Sequence, residues 1–90
     1  MEANLEAELY EIMKTDGVTG AILSDEHGLC LLASPDVKPE MAGILSAIVQ
    51  HASMIDNRNE NPVINFEGDS RQCLIKKEGS VTTAIFKKIS

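Results

Sequence analysis

Apolar residues recur at helical spacing near the start of the chain, at positions i, i+4, i+7 and i+8. They are Leu5, Leu9, Ile12 and Met13. The pair Asp16-Gly17 follows them, and a glycine can adopt the left-handed conformation that ends many helices. The pattern therefore predicts a short amphipathic helix before residue 17.

Two apolar segments within residues 18–33 are separated by Asp25-Glu26-His27-Gly28, a sequence typical of turns. This arrangement predicts a β-hairpin. A second hairpin is predicted for residues 72–88, where two apolar segments flank a turn at residues 77–80.

Residues 62–66 alternate between apolar and polar after a leading proline, which indicates a strand at the edge of a sheet. The alternation leaves open whether Val63 and Asn65 or Ile64 and Phe66 face the core. The polar segments 34–38 and 56–61 are predicted to be loops.

Residues 41–55 lack Asp, Glu, Lys and Arg altogether, although 24% of the chain is charged. At 100° per residue, one broad apolar face of this predicted helix should cover the sheet. That face contains Met41, Ile44, Leu45, Ile48, Val49, Ala52 and Ile55. The opposite side carries Gly43, Ala47 and Met54, flanked by Ser46, Gln50 and His51. This uncharged second face favours a protein interface, and the alternative is a modestly polar surface facing water. The segment is too short and too polar to span a membrane.

The order helix, strand, strand, helix and three strands predicts an α+β fold, with a five-stranded antiparallel sheet and helices on one or both faces. Ninety residues allow one domain, which we expect to span 1–90.

The net charge of −6 argues against nucleic acid as the main partner, because binding phosphates requires a concentrated basic surface. The charge is also uneven. Residues 1–69 hold thirteen acidic and three basic residues, whereas residues 70–90 hold one acidic and five basic residues. Two oppositely charged regions favour docking to other proteins, although such faces are often simply solvated.

No arrangement of residues predicts an active site. A shared zinc site would need Cys30 and Cys73 to converge with His27 and His51 from distant elements. Cys30 lies within an apolar run and is expected to be a buried, inert thiol. We therefore expect no catalysis, no cofactor and no metal. The start of the chain shows no signal peptide and no glycine for myristoylation, so we expect a cytosolic protein with reduced cysteines.

The uncharged helix face and the predicted edge strand are compatible with one interface, because a partner with a matching strand and helix could extend the sheet and pack across it. The candidate interface residues are Gly43, Ala47, Gln50, Met54, Val63, Asn65 and Phe66.

The chain resembles the roadblock/dynein light chain superfamily in the order of its elements and in several short matches along its whole length. Within that superfamily it is similar to the hepatitis B X-interacting protein family of Ragulator complex subunits. The matching pieces include Gly20, Asp25-x-x-Gly28-Leu29, Ala42-Gly43-Ile44-x-Ser46, Pro62-Val63 and Ile75-x-Lys77.

This resemblance implies the sheet order 2-1-5-4-3 and a non-catalytic scaffold that pairs through its second helix and third strand with another roadblock-fold subunit. It also implies wrapping by a lipid-anchored Ragulator subunit, without direct membrane insertion. The complex would hold Rag GTPases at the lysosome or late endosome for amino-acid signalling to the target-of-rapamycin kinase. The alternative from the same resemblance is a homodimeric module that regulates a small GTPase or binds a small ligand.

Overall fold

The computed structural model describes residues 4–55 and 62–89. It contains two helices and five strands in the predicted order, and the prediction of the fold class is confirmed. The elements are α1 (Leu5–Met13), β1 (Val18–Ser24), β2 (Cys30–Ala33), α2 (Met41–Ile55), β3 (Val63–Glu67), β4 (Arg71–Glu78) and β5 (Val81–Lys88). The loop predicted at 56–61 lies outside the described residues.

The five strands form one antiparallel sheet in the order β2-β1-β5-β4-β3. This is the order that the resemblance implied, and it places β2 and β3 at the two edges. Both hairpins are present. Their turns contain Gly28 at φ +85° and Gly79 at φ +62°, which are backbone conformations that side chains other than glycine rarely tolerate.

The first helix is short and packs against β1 and β2. Asn4 caps its amino terminus, because the Asn4 Oδ1 atom accepts a hydrogen bond from the Ala7 backbone N–H at 3.1 Å. The four residues of the predicted stripe are all half-buried. The helix ends at Met13, and Gly17 follows at φ +86°.

The main core lies between α2 and the sheet. Its fully buried members are Ile22, Ala42, Leu45, Val49, Ile75 and Ala84. On the other face of β1, Ala21 and Leu23 are also fully buried, because successive residues of a strand point to opposite faces. The sheet is therefore covered by α2 on one face and by α1 over β1 and β2 on the other.

The orientation of α2 differs from the prediction in one respect. Ile44 and Ile55 were expected to cover the sheet, but they are 56% and 88% exposed. Ala42, which the prediction omitted, is buried in the core instead. The centre of the buried face is therefore rotated away from Ile44 and towards Ala42.

Two smaller points are decided by the packing. Ile64 packs against the core cluster and pairs with buried Ile75 on β4, so Ile64 and not Val63 faces the core. Cys30, expected to be buried, is only half-buried, because β2 lies at the edge of the sheet.

Candidate functional site

The outward face of α2 contains the four helix residues proposed for an interface. Gly43, Ala47, Gln50 and Met54 are all exposed. A Cβ atom added to Gly43 would meet no heavy atom within 4 Å. Small side chains at Gly43 and Ala47 leave the helix backbone accessible, and this allows a second helix to approach closely. The face carries no charge along its whole length.

The β1–β2 turn explains why α2 is rotated. A Cβ atom built on Gly28 would lie 3.4 Å from the Gly43 Cα atom and 3.5 Å from the Ser46 Cβ atom. This flank of α2 is therefore in contact with the turn. Because residues advance by 100° around a helix, Ile44 and Ile55 lie on the flank that faces away from this turn.

Ile44 and Ile55 therefore belong to the exposed surface, although their spacing predicted that they cover the sheet. With them, the outward face of α2 changes from a narrow strip of small residues to a broad apolar surface. A signal was present in the sequence, since the small residues Ala42, Gly43 and Ser46 indicate the flank where another part of the chain can approach most closely.

The edge strand β3 contributes the second part of the candidate site. Val63 is 64% exposed, Phe66 is half-exposed and Asn65 is exposed. The Asn65 Oδ1 atom accepts a hydrogen bond at 2.9 Å from Gln72 Nε2 on β4, so its side chain is oriented across the sheet rather than beyond its edge.

The outer edge of β3 is regular along its whole length. Its five residues pair with β4 in continuous register from Val63–Lys76 to Glu67–Gln72, without a bulge. The strand contains no Lys and no Pro, and Glu67 at its end is its only charged residue. Charges, prolines and bulges are the usual features that prevent edge pairing. This edge can therefore accept another strand through main-chain hydrogen bonds.

The structure thus brings all seven candidate interface residues to α2 and β3 and leaves them accessible. Whether a partner binds them is still a prediction. The apolar side chains of Ile44, Met54 and Ile55 on the helix, with Val63 and Phe66 on the strand, form the greater part of the exposed large hydrophobic residues within 4–55 and 62–89.

The ionisable groups outside this surface include the Cys73 thiol and the Asp25 carboxyl, whose pKa values are shifted. Among the described residues, no group of three or more His, Cys, Asp and Glu side chains could hold a metal ion. The pKa of the Cys73 thiol is raised by burial, so the thiol is less reactive than a free one. Asp25 has a lowered pKa, mainly because its carboxylate accepts the Leu29 N–H, and its Oδ1 atom also accepts the N–H of His27. No helix within the described ranges is long and apolar enough to cross a bilayer.

Comparison with known proteins adds a match to one family over most of the chain. Residues 1–87 match the family model of Ragulator complex protein LAMTOR5. The chain is 33% identical over 88 residues to a LAMTOR5 homolog from Nematostella vectensis, covering 97% of both chains. It is 31% identical over 91 aligned positions to LAMTOR5 from Xenopus tropicalis, covering 100% of both chains.

Solved structures share the fold at lower sequence identity. Myxococcus xanthus MglB superposes with a TM-score of 0.78 and 14% identity, covering 98% of this chain and 79% of that one. A Roadblock/LC7 domain from Streptomyces avermitilis gives a TM-score of 0.70 and 17% identity, covering 93% of this chain and 75% of that one. These structures confirm the fold that the resemblance implied, and the family model with the curated relatives confirms the resemblance to Ragulator complex subunits.

Proposed function

Because the chain belongs to the Ragulator complex protein LAMTOR5 family, we propose that it is a non-catalytic scaffold subunit of a Ragulator-like complex. In this proposal it pairs with another roadblock-fold subunit through the outward face of α2 and the edge of β3. The two sheets join at β3, and the two α2 helices pack across the junction.

The observation that carries the proposal is the distribution of exposed hydrophobic residues. Nine large hydrophobic side chains are exposed in the described part of the chain, and five of them lie on α2 and β3. Exposed apolar surface is a mark of protein–protein contact. On β3, Phe66 shares the α2 side of the sheet with Ile64, whereas Val63 points to the opposite side, so a strand paired at this edge would contact both.

The parts of this surface have different roles in the proposed interface. Gly43 and Ala47 allow the two helix backbones to approach closely. Met54 is flexible and can adapt its packing to a partner that is not identical to this chain. The β3 backbone supplies directional hydrogen bonds that set the register between the two sheets.

The cellular role in the proposal comes from the family rather than from the geometry. A lipid-anchored subunit would bind the paired subunits to the cytosolic face of the lysosome or late endosome. The complex would hold Rag GTPases there for amino-acid signalling to the target-of-rapamycin kinase. This chain would supply a folded surface for the assembly and perform no chemical step.

The first experiment is light scattering behind size exclusion, on the chain alone over a dilution series. The chain is then co-expressed with each roadblock-fold subunit of its source organism. We expect a 1:1 complex with one of them. The substitution Ala47→Glu should abolish this complex, because it would bury an unpaired carboxylate between the two helices.

The matched control is Ala7→Glu, which makes the same substitution at an exposed position on α1. It should leave the complex intact. A complex that survives Ala47→Glu would show that the interface lies elsewhere. A stable dimer of the chain alone, independent of concentration and disrupted by Ala47→Glu, would instead support the homodimeric alternative.

A further inference from the structure

A groove of about 900 Å³ lies at one end of the sheet, away from the centre of the proposed pairing surface. Its walls are the β2–α2 loop on one side and the β3–β4 turn on the other. Its lining includes residues 36–38 and Met41 from the first wall and residues 66–68 from the second. The ends of β4 and β5 complete it.

The floor of the groove is a row of cross-strand neighbours. Phe66 on β3 pairs with Cys73 on β4, Cys73 pairs with Phe86 on β5, and Phe86 pairs with Gly20 on β1. Burial raises the pKa of the Cys73 thiol, which keeps it neutral and compatible with apolar contact. Phe66 is half-exposed at the outer end of the row. This floor can accept an apolar side chain.

The wall formed by the β2–α2 loop is held on β1 by a buried pair of hydrogen bonds. The Ser34 hydroxyl accepts the Ala21 N–H at 3.0 Å, and the Ser34 N–H donates to the Ala21 carbonyl at 2.9 Å. Val37 then covers Gly20 so closely that an added Cβ there would lie 2.8 Å from Val37 Cγ2. The groove is therefore bounded by ordered backbone on this side.

The rim of the groove is basic. Arg71 on β4 is directly opposite Lys88 on β5, on the same face as the floor, and Lys38 also lines the groove. Lys87 alternates with Phe86 and Lys88, so its side chain is directed to the other face of the sheet. Within residues 4–55 and 62–89, the side chains of Arg71, Lys88 and Lys38 have no ion-pair partner within 4.0 Å. Like charges directly opposite each other on neighbouring strands are destabilising. A bound anion would remove this repulsion.

We propose that this groove binds an acidic, extended segment of a partner protein, with one apolar side chain on the floor and carboxylates against Arg71 and Lys88. The three cations come from three separate elements and are spread along the rim, which suits a chain of spaced carboxylates better than one compact phosphate. Asp36 also lines the groove, and an extended segment can keep its carboxylates on the side of Arg71 and Lys88, away from Asp36. The apolar floor likewise favours a peptide over a free anion.

This proposal goes beyond pairing through α2 and β3 and does not depend on it. The two surfaces share Phe66 and Glu67 at the end of β3. Ala47→Glu tests the pairing surface without changing any residue that lines the groove, and the variants below change only the groove. The two proposals can therefore fail separately.

The test is a titration of the ¹⁵N-labelled full chain with a blocked peptide of sequence Asp-Glu-Asp-Leu-Glu-Asp-Glu, followed by NMR chemical shifts. We expect the amide shifts to change at the β2–α2 loop, the β3–β4 turn and the end of β5. An Asn/Gln version of the peptide should bind at least about tenfold more weakly, because it carries no charge. Binding should also weaken as salt is added.

The double variant Arg71→Gln/Lys88→Gln should weaken binding about fivefold or more, since each exposed ion pair contributes modestly. The matched control is Lys14→Gln/Lys76→Gln, which removes the same charge outside the groove, where the two side chains are 57% and 43% exposed. The control should bind like the unmodified chain.

Four results would overturn the proposal. They are equal binding of the neutral peptide, shifts confined to the outward face of α2, an equal loss of affinity in both double variants, and no binding at all. Inorganic phosphate or vesicles of anionic lipid are tested in parallel. If either reproduces the same shifts while the peptide does not, the groove is an anion or membrane site and the peptide proposal is wrong.

Discussion

The two edges of the sheet are built differently. At one edge, β2 is four residues long, and its register with β1 shifts at Leu23/Ser24, where Leu31 has no partner. At the other edge, β3 pairs with β4 over five consecutive residues without a shift. Strand irregularity reduces the ability of an edge to accept another strand, whereas a regular edge remains competent.

The surroundings of the two edges reinforce this difference. The strand β2 lies beside α1 and begins directly after a turn organised by Asp25. The strand β3 is a regular edge, and α2 presents an uncharged outward face with Ile44, Met54 and Ile55 exposed. A partner that pairs with β3 and also reaches this face of α2 would bury a strand edge and a helix face together, and the proposed pairing is at this edge.

The largest expected effect is a loss of binding affinity when a charge is placed at the β3 edge, compared with a charge placed at the β2 edge. Val63→Lys should weaken pairing with a roadblock-fold subunit at least about tenfold, because the ammonium would be desolvated at the interface. The matched variant is Leu29→Lys beside β2, since Leu29 is 65% exposed and Val63 is 64% exposed. It should leave affinity unchanged, as measured by isothermal titration calorimetry. Equal losses of affinity in the two variants would show that the two edges do not differ in partner binding.

The second prediction tests how β3 is held on the protein. Ile64→Ala should lower the free energy of unfolding by about 2 kcal/mol, because Ile64 packs against the core and pairs with Ile75. Val63→Ala on the same strand should change it by less than about 0.5 kcal/mol, since that side chain is exposed. Urea denaturation of both variants measures the difference. Similar values would mean that the two faces of β3 are not distinguished by burial.

The smallest effect concerns the turn that precedes β2. The pKa of Asp25 is lowered by the hydrogen bonds that its carboxylate accepts, above all from the Leu29 N–H. The stability that the Asp25 carboxylate gives to the turn is therefore fully present above the unfolded-state pKa of about 4. It is lost as the pH falls through the lower folded-state pKa. Hydrogen exchange of the His27 and Leu29 amides should accelerate, relative to the β3–β4 turn, as the pH is lowered below about 4.

The control for this prediction is Asp25→Asn, which keeps one acceptor oxygen and removes the charge. In that variant the relative exchange of the two amides should no longer change as the pH is lowered. If the unmodified chain also shows no change, the Asp25 carboxylate does not stabilise the turn.

Particular elements show how far the sequence could predict this protein. The spacing of Leu5, Leu9, Ile12 and Met13 predicted α1, and the turn residues around Gly28 and Gly79 predicted both hairpins. These are local properties, because helix periodicity and turn conformation depend on neighbouring residues. The strand order came from the family resemblance, since the residues by themselves predicted only strands that can pair in an antiparallel manner.

The candidate site was predictable in part. The absence of charge from residues 41–55 and the proline before β3 led to the helix face and the edge strand, and the structure leaves all seven candidate residues accessible. The sequence did not predict the exposure of Ile44 and Ile55. A broad apolar face does not show which of its residues pack most deeply against the sheet. The orientation of α2 depends on its proximity to Gly28, which is distant in the sequence.

The amino-acid sequence by itself therefore determined the elements, the uncharged helix face and the uneven charge, because each follows from local pattern and composition. Only the tertiary structure decided which flank of α2 packs against the hairpin turn, which residues of β3 face the core, and that Arg71 and Lys88 stand opposite each other beside an apolar groove. These features depend on register and on contacts between distant segments, and the local pattern of residues does not reveal them.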